Sequence, residues 1–144
     1  MTVLAVVQAR TGSTRRPEKV LADVGGKPML RFMLDRLEGL KVGSLVVATS
    51  DRPDDDRVEA VAQDAGVACV RGPEDDVLAR FAVALRTNPA NSVLRLTADC
   101  PLIDPGVVNQ LIAHFHEAGV DYASNTLART YPVGLDAEVM TADA

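Results

Sequence analysis

The 144-residue chain contains no tryptophan, and aromatic residues make up only 3% of it. So few rings leave no stacking platform for the bases of single-stranded nucleic acid. Cations are in the minority as well: 15 Lys and Arg stand against 20 Asp and Glu, for a net charge of −5. A chain of that balance is a poor binder of duplex phosphates, so no nucleic-acid partner is expected. There are two cysteines, Cys69 and Cys100, without a C-x-x-C pair, which points to reduced thiols rather than a disulfide framework. His114 and His116 are two apart on an expected helix and do not share a face, so they make no paired metal site. No serine–histidine–acid or cysteine–histidine constellation can be assembled, and no protein nucleophile stands out. Residues 3–9 are too short for a signal-peptide core and lack a basic segment before them, and nothing approaches a membrane-spanning run. The expectation is a cytoplasmic protein with no membrane partner.

What is present is an ordinary globular composition, 47% hydrophobic, in which Val, Leu and Ala must fill the core. The length suits a single domain over residues 1–144. An apolar run at residues 3–7 has the length and β-branched content of a strand buried on both faces. It breaks into Arg10-Thr11-Gly12-Ser13-Thr14-Arg15-Arg16-Pro17-Glu18-Lys19, which holds four cations, three hydroxyls and a glycine. In an acidic protein this local excess points to a polyanion such as a nucleoside triphosphate, with Gly12 letting backbone N–H groups approach phosphate. Neither the P-loop order nor G-x-G-x-x-G is present, so those two phosphate signatures lose support. Read alone, the loop indicates anion binding or a solvated basic turn.

Further apolar segments at 20–24, 44–49, 67–70, 92–97, 120–124 and 135–140 alternate with helical patterns. The helices carry Leu30, Met33, Leu34 and Leu37; Val58, Val61, Ala62 and Ala65; Val77, Leu78, Phe81 and Leu85; and Val108, Leu111, Ile112 and Phe115. Pro28 suits a first helical turn, Asp54, Asp55 and Asp56 suit a helix start, and Asp75 or Asp76 suits a cap. Asp104 before Pro105 has the pattern of an N-cap. Strands alternating with helices through short connections imply parallel βαβ units in a three-layer α/β sandwich. Right-handed crossovers then gather residues 10–19, Ser50, Asp51, Arg71 and Asp99 at one sheet edge, where open α/β sheets bind ligands. Asp99 follows the strand at 92–97 and precedes Pro101. It reads as one fixed carboxylate for magnesium among phosphates, or as a turn-forming Asp bonded to its own backbone.

Three blocks carry a resemblance to a known family. They are Gln8 through Leu21, Leu96-Thr97-Ala98-Asp99-Cys100-Pro101-Leu102-Ile103, and Ser124-Asn125-Thr126 through Tyr131-Pro132-Val133-Gly134-Leu135-Asp136-Ala137-Glu138-Val139. Together they resemble cytidylyltransferases of the spore-coat polysaccharide type, related to the synthetases that join CMP to sialic acid and ketodeoxyoctonate. The resemblance implies a Rossmann-like, mostly parallel sheet of the nucleotide-diphospho-sugar transferase (glycosyltransferase-A) type. It implies CTP and a sugar or sugar acid as substrates, Mg2+ as cofactor, and a homodimer. By that resemblance Gln8, Ala9, Arg10, Thr11, Gly12, Ser13, Arg15, Lys19, Arg71 and Thr97 bind the nucleotide. Arg10, Lys19 and Asp99 serve catalysis, Asp99 and Asp136 are metal candidates, and Asn125, Asp136 and Glu138 face the sugar. The chain departs from the family pattern at Glu18, where a glycine is usual, setting a carboxylate beside the expected phosphates. By the resemblance, relatives also continue well past the position of Ala144 and draw a second metal ligand from a late Asp there, so the expectation is one nucleotide-binding domain truncated at its C-terminus. A nucleotide-binding module without activity and a glycosyltransferase using a preformed nucleotide sugar are the alternatives.

Overall fold

The apolar run at the start of the chain forms strand β1 (Val3–Gln8), in which Leu4, Ala5, Val6 and Val7 have no exposed surface. Two short strands, β2 (Asp23–Val24) and β3 (Lys27–Pro28), then pair around Gly25 and Gly26. Both glycines have positive φ (61° and 89°), the conformation a two-residue hairpin turn requires. The chain continues through α1 (Met29–Arg36), β4 (Ser44–Ser50), α2 (Asp56–Asp64), β5 (Ala68–Gly72) and α3 (Val77–Thr87). It ends through β6 (Ser92–Thr97), α4 (Pro105–Ala118), β7 (Tyr122–Ser124) and β8 (Glu138–Thr141). These coordinates are a computed structural model that describes residues 2–12 and 14–144. Ser13, expected in the nucleotide loop, lies outside the described residues.

The main sheet has the order β5-β4-β1-β6-β8-β7. β1 pairs in parallel with β4 on one side and β6 on the other, and β4 pairs in parallel with β5. Alternate residues of β1 serve opposite faces. Val3, Ala5 and Val7 pack with Leu30, Met33, Val58, Ala62, Val108 and Ile112 beneath α1, α2 and α4. Leu4 and Val6 pack with Val46, Ala48, Val93 and Ala84 beneath α3. The connections β1–α1–β4 and β4–α2–β5 travel in one direction and share a face. The connection β5–α3–β6 travels back across the sheet, so the same crossover handedness sends α3 to the other face. Strand order therefore reverses beside β1, and a crevice opens beyond the carboxyl ends of β1 and β6.

Three expectations shift in detail. The strand expected at 67–70 forms at Ala68–Gly72, so Arg71 lies within it. The segment at 135–140 becomes β8, which is antiparallel to both β6 and β7 and sits between them. A strand that returns without a helical crossover pairs antiparallel, which the alternating pattern did not reveal. Among Asp54, Asp55 and Asp56, Asp55 is buried and does not cap α2.

The caps follow local chemistry. Asp76 accepts from Ala79 N at 2.9 Å, so of the two expected acids it is Asp76 that starts α3. Asp104 Oδ1 accepts from Gly106 N (2.7 Å) and Val107 N (3.3 Å) with Pro105 at the first helical position. Replacing it (Asp104→Ala) should cost about 1 kcal/mol of stability. Urea denaturation checks this, with the midpoint falling and the slope unchanged.

Candidate active site

The floor of the crevice is set by how β1 ends. Ala9, 2% exposed, is the last core residue of the run, and its N–H continues the ladder to Ala48 O at 3.0 Å. Thr11 is bolted next. Its N–H and its hydroxyl each donate to Asp55 Oδ1 at 2.8 Å. The other carboxylate oxygen accepts from Ser50 N at 3.3 Å and from the Ser50 hydroxyl. Burial pushes the Asp55 carboxyl up, but the hydrogen bonds from Ser50 and Thr11 outweigh it and hold the group below the ordinary range. Glu18 N then donates to Thr11 O at 3.0 Å, closing the loop on itself.

Beyond this bolt lies a cleft of about 510 Å³ lined by Gln8, Arg10, Thr14, Arg15, Arg16, Lys19, Val20, Thr97, Ala98 and Asp99. That volume is within the range of small-molecule sites. Four cations face one carboxylate, the reverse of the balance of the whole chain. Among the described residues, neither Arg15 nor Lys19 has an ion-pair partner. Arg10 makes a looser pair with Glu74, Nη1 to Oε1 at 3.6 Å. Glu18 adopts φ 59°, the left-handed conformation in which glycine is the usual residue, and its carboxylate turns to Arg57 on α2. It does not line the cleft, so the negative charge expected there is spent on Arg57 instead.

Asp99 follows β6 in the turn closed by Cys100 N donating to Thr97 O at 3.1 Å. Its carboxylate is exposed and is met by the Cys100 thiol at 3.8 Å, and among the described residues no backbone N–H donates to it. The turn-forming alternative therefore loses its hydrogen bond. Cys69 and Cys100 are both free. Burial pushes the Cys69 thiol up to about 11, so it is inert at neutral pH.

A second cavity, about 280 Å³, shares Thr97 with the first and is lined by Arg95, Thr126, Arg129, Asp136, Ala137 and Glu138. Asp136 is held by Arg129 through two bonds (3.0 and 3.3 Å), and Glu138 pairs with Arg95 opposite it across the β6–β8 ladder at 3.2 Å. Asn125 does not line this cavity. It clamps the 125–137 loop, donating to Leu135 O at 2.6 Å and accepting from Ala137 N at 2.9 Å.

The structure thus brings Gln8, Arg10, Arg15, Lys19, Thr97 and Asp99 into one cleft, and Asp136 and Glu138 into its neighbour. Thr11 is committed to Asp55, and Gly12 borders a separate hollow with Glu74 and Arg52. Arg71 is engaged by Asp56 (2.6 Å), Glu59 (2.9 Å) and the carbonyls of Ser50 and Arg52, outside the cleft. Arg95 and Arg129 were not singled out from sequence, and Asp55 was read only as an acid at a helix start. An arginine inside the strand pattern of 92–97 was the one available signal for Arg95, since a charge in a core strand needs a partner.

This sheet, with its cationic cleft at the reversal of strand order, has the fold of the nucleotidyltransferases. The protein-family model for cytidylyltransferases matches residues 4–143, and the chain belongs to that family. It is 34% identical to the spore coat polysaccharide biosynthesis protein SpsF of Bacillus subtilis (strain 168), over 98% of this chain and 60% of the relative. A solved cytidylyltransferase from Leptospira borgpetersenii superposes with a TM-score of 0.93 at 35% identity, over 98% of this chain and 60% of that one. A CMP:2-keto-3-deoxy-manno-octonic acid synthetase solved with CTP superposes with a TM-score of 0.76 at 29% identity, over 86% and 52%. The chain therefore spans about 60% of the length of SpsF and of the Leptospira structure.

The Asp55 bolt is testable by itself. A carboxyl lowered on folding adds stability above its unfolded value of about 3.9, and that stability is lost as pH falls through the folded value. Asp55→Asn should cost on the order of 3 kcal/mol at pH 7, because an amide presents donors or leaves donors unmet where four hydrogen bonds converge. Thermal denaturation of both proteins between pH 7 and 3 should show the gap narrowing only below about pH 4.

Proposed function

We propose that the chain binds CTP in the cleft between β1 and β6 and acts in transferring CMP to a hydroxyl of a sugar or sugar acid, releasing pyrophosphate. The observation that carries this reading is the meeting of Arg10, Arg15, Arg16 and Lys19 with the exposed carboxylate of Asp99 around one cleft. Two relatives support it by what they are: one is named for spore coat polysaccharide biosynthesis, the other was solved with CTP.

In this reading Arg15 and Lys19 neutralise the triphosphate and stabilise the charge that grows on pyrophosphate as it leaves. Thr97 borders both cavities, so the acceptor enters from the side of Thr126 and Asp136 and its hydroxyl meets the α-phosphorus near Thr97 and Asp99. The bond formed is sugar oxygen to α-phosphorus, with the hydroxyl proton passing to solvent, and the bond broken joins the α-phosphorus to the bridging oxygen of the β-phosphate, which leaves with pyrophosphate. No covalent enzyme intermediate is needed, and among the described residues no serine or cysteine paired to histidine lines either cavity.

The residues also fit a magnesium ion. Among the described residues no three metal-binding side chains converge, so the protein alone makes no cage. A divalent ion here would take one carboxylate, Asp99, together with phosphate oxygens, the manner in which magnesium is usually held. Bound there, it would neutralise charge on the phosphates. Asp136 is committed to Arg129 and is the weaker ligand candidate. The location we propose is cytoplasmic, in keeping with two free thiols.

Calorimetric titration with CTP and magnesium tests the reading. Lys19→Ala should weaken CTP binding about ten- to a hundredfold, the worth of one charged hydrogen bond, with the melting temperature unchanged. Asp99→Asn should remove the magnesium-dependent part of the affinity. Pyrophosphate release on adding sugar acids establishes transfer. CTP binding without release for any acceptor would favour a binding module, and an unchanged affinity in Lys19→Ala would contradict the site.

A further inference from the structure

Gly12 was expected to admit phosphate, yet what stands against it is a carboxylate. A Cβ built on Gly12 would lie 2.7 Å from Glu74 Oε1, so a side chain there would push the Glu74 carboxylate aside. Glu74 is also the hub of two cations. It binds Arg52 Nη1 at 2.9 Å and lies 3.6 Å from Arg10 Nη1, and its side chain is less exposed (24%) than those of Arg52 (56%) or Arg10 (40%).

Both sides of the contact are anchored. On one side Thr11, the neighbour of Gly12, is fixed by Asp55. On the other, the guanidinium of Arg80, 1% exposed, donates from Nη1 to the carbonyls of Pro73 (2.8 Å) and Glu74 (2.7 Å). The backbone at Glu74 is therefore held beside the loop by a buried charge, while its carboxylate reaches back to Gly12. Arg10 bridges the two spaces, lining the cleft and pairing with Glu74.

We propose that Glu74 is a tethered counter-anion of the triphosphate loop, holding Arg10 in the empty protein and giving it up to a phosphate of the bound nucleotide. The inference rests on the CTP-binding reading. Distances decide between this role and that of a post that aims Arg10. At 3.6 Å the Arg10 pair is an ion pair without a hydrogen bond, so it supplies charge and not orientation. A fixed negative charge within several ångströms of phosphates weakens their binding, and the affinity of the cleft is set by that competition.

The test compares wild type with Glu74→Gln by calorimetry, titrating inorganic tripolyphosphate, CTP and cytidine in turn. Glu74→Gln should bind tripolyphosphate and CTP about three- to tenfold more tightly, as expected for removing one screened charge. Cytidine, which carries no phosphate, should bind the two proteins alike. Glu74→Asp keeps the charge and withdraws it by one methylene, so its affinity should fall between the two. Should Glu74→Gln lose melting temperature, the order of affinities among the variants still decides, because a merely structural role predicts weaker binding. Equal or weaker triphosphate binding in Glu74→Gln, with wild type binding CTP, overturns the counter-anion alone. Wild type binding neither CTP nor tripolyphosphate overturns both readings.

Discussion

The cleft depends on the point at which β1 stops being a strand. Its residues are buried on both faces between β4 and β6, so the strand cannot slide without exposing Leu4 through Val7. A register shift of one residue would exchange the two packed faces. Ala9 completes the core, and one residue later the buried carboxylate of Asp55 takes the N–H and hydroxyl of Thr11. The basic turn is therefore launched from a fixed place and direction. Strand order reverses beside β1, so the adjoining wall comes from the end of β6 and carries Asp99.

Charge is distributed around this frame with a clear division. Several arginines elsewhere are spent on the protein's own acids or carbonyls: Arg31 on Asp35 and Asp64, Arg57 on Glu18, Arg71 on Asp56 and Glu59, Arg80 on the 73–74 turn. Arg15 and Lys19 in the cleft have no such ion-pair partner among the described residues. Most exposed pairs of this kind stabilise a fold little, so their worth lies in where they leave charge uncompensated. The neighbouring cavity is the opposite case. Arg95 with Glu138 and Arg129 with Asp136 leave it balanced, with donors and acceptors side by side.

The legible parts were those settled by local chemistry or by burial on both faces. The run at 3–7, the Asp104 cap before Pro105 and the crowding of cations at 10–19 can each be read without knowing what lies opposite. Asp99 could be placed because it follows a core strand directly. The parts that escaped depend on partners far along the chain. Asp55 reads like Asp54 and Asp56, and only its position beneath Thr11 makes it a buried anchor. Glu74 carried no local signal either, because its contact with Gly12 spans the sheet edge. The antiparallel β8 was hidden because its pairing is set by a helix-free return between β6 and β7.

The central claim is that the basic turn and Asp99 act on the same triphosphate and its ion. A crystal of the chain with CTP and manganese, phased for the anomalous signal of the metal, tests it most directly. The account predicts a triphosphate lying along Arg15 and Lys19 with a manganese peak about 2.2 Å from an Asp99 carboxylate oxygen, close to the usual length for a small divalent ion. A nucleotide bound on another edge of the sheet, or a metal peak away from Asp99, would contradict it.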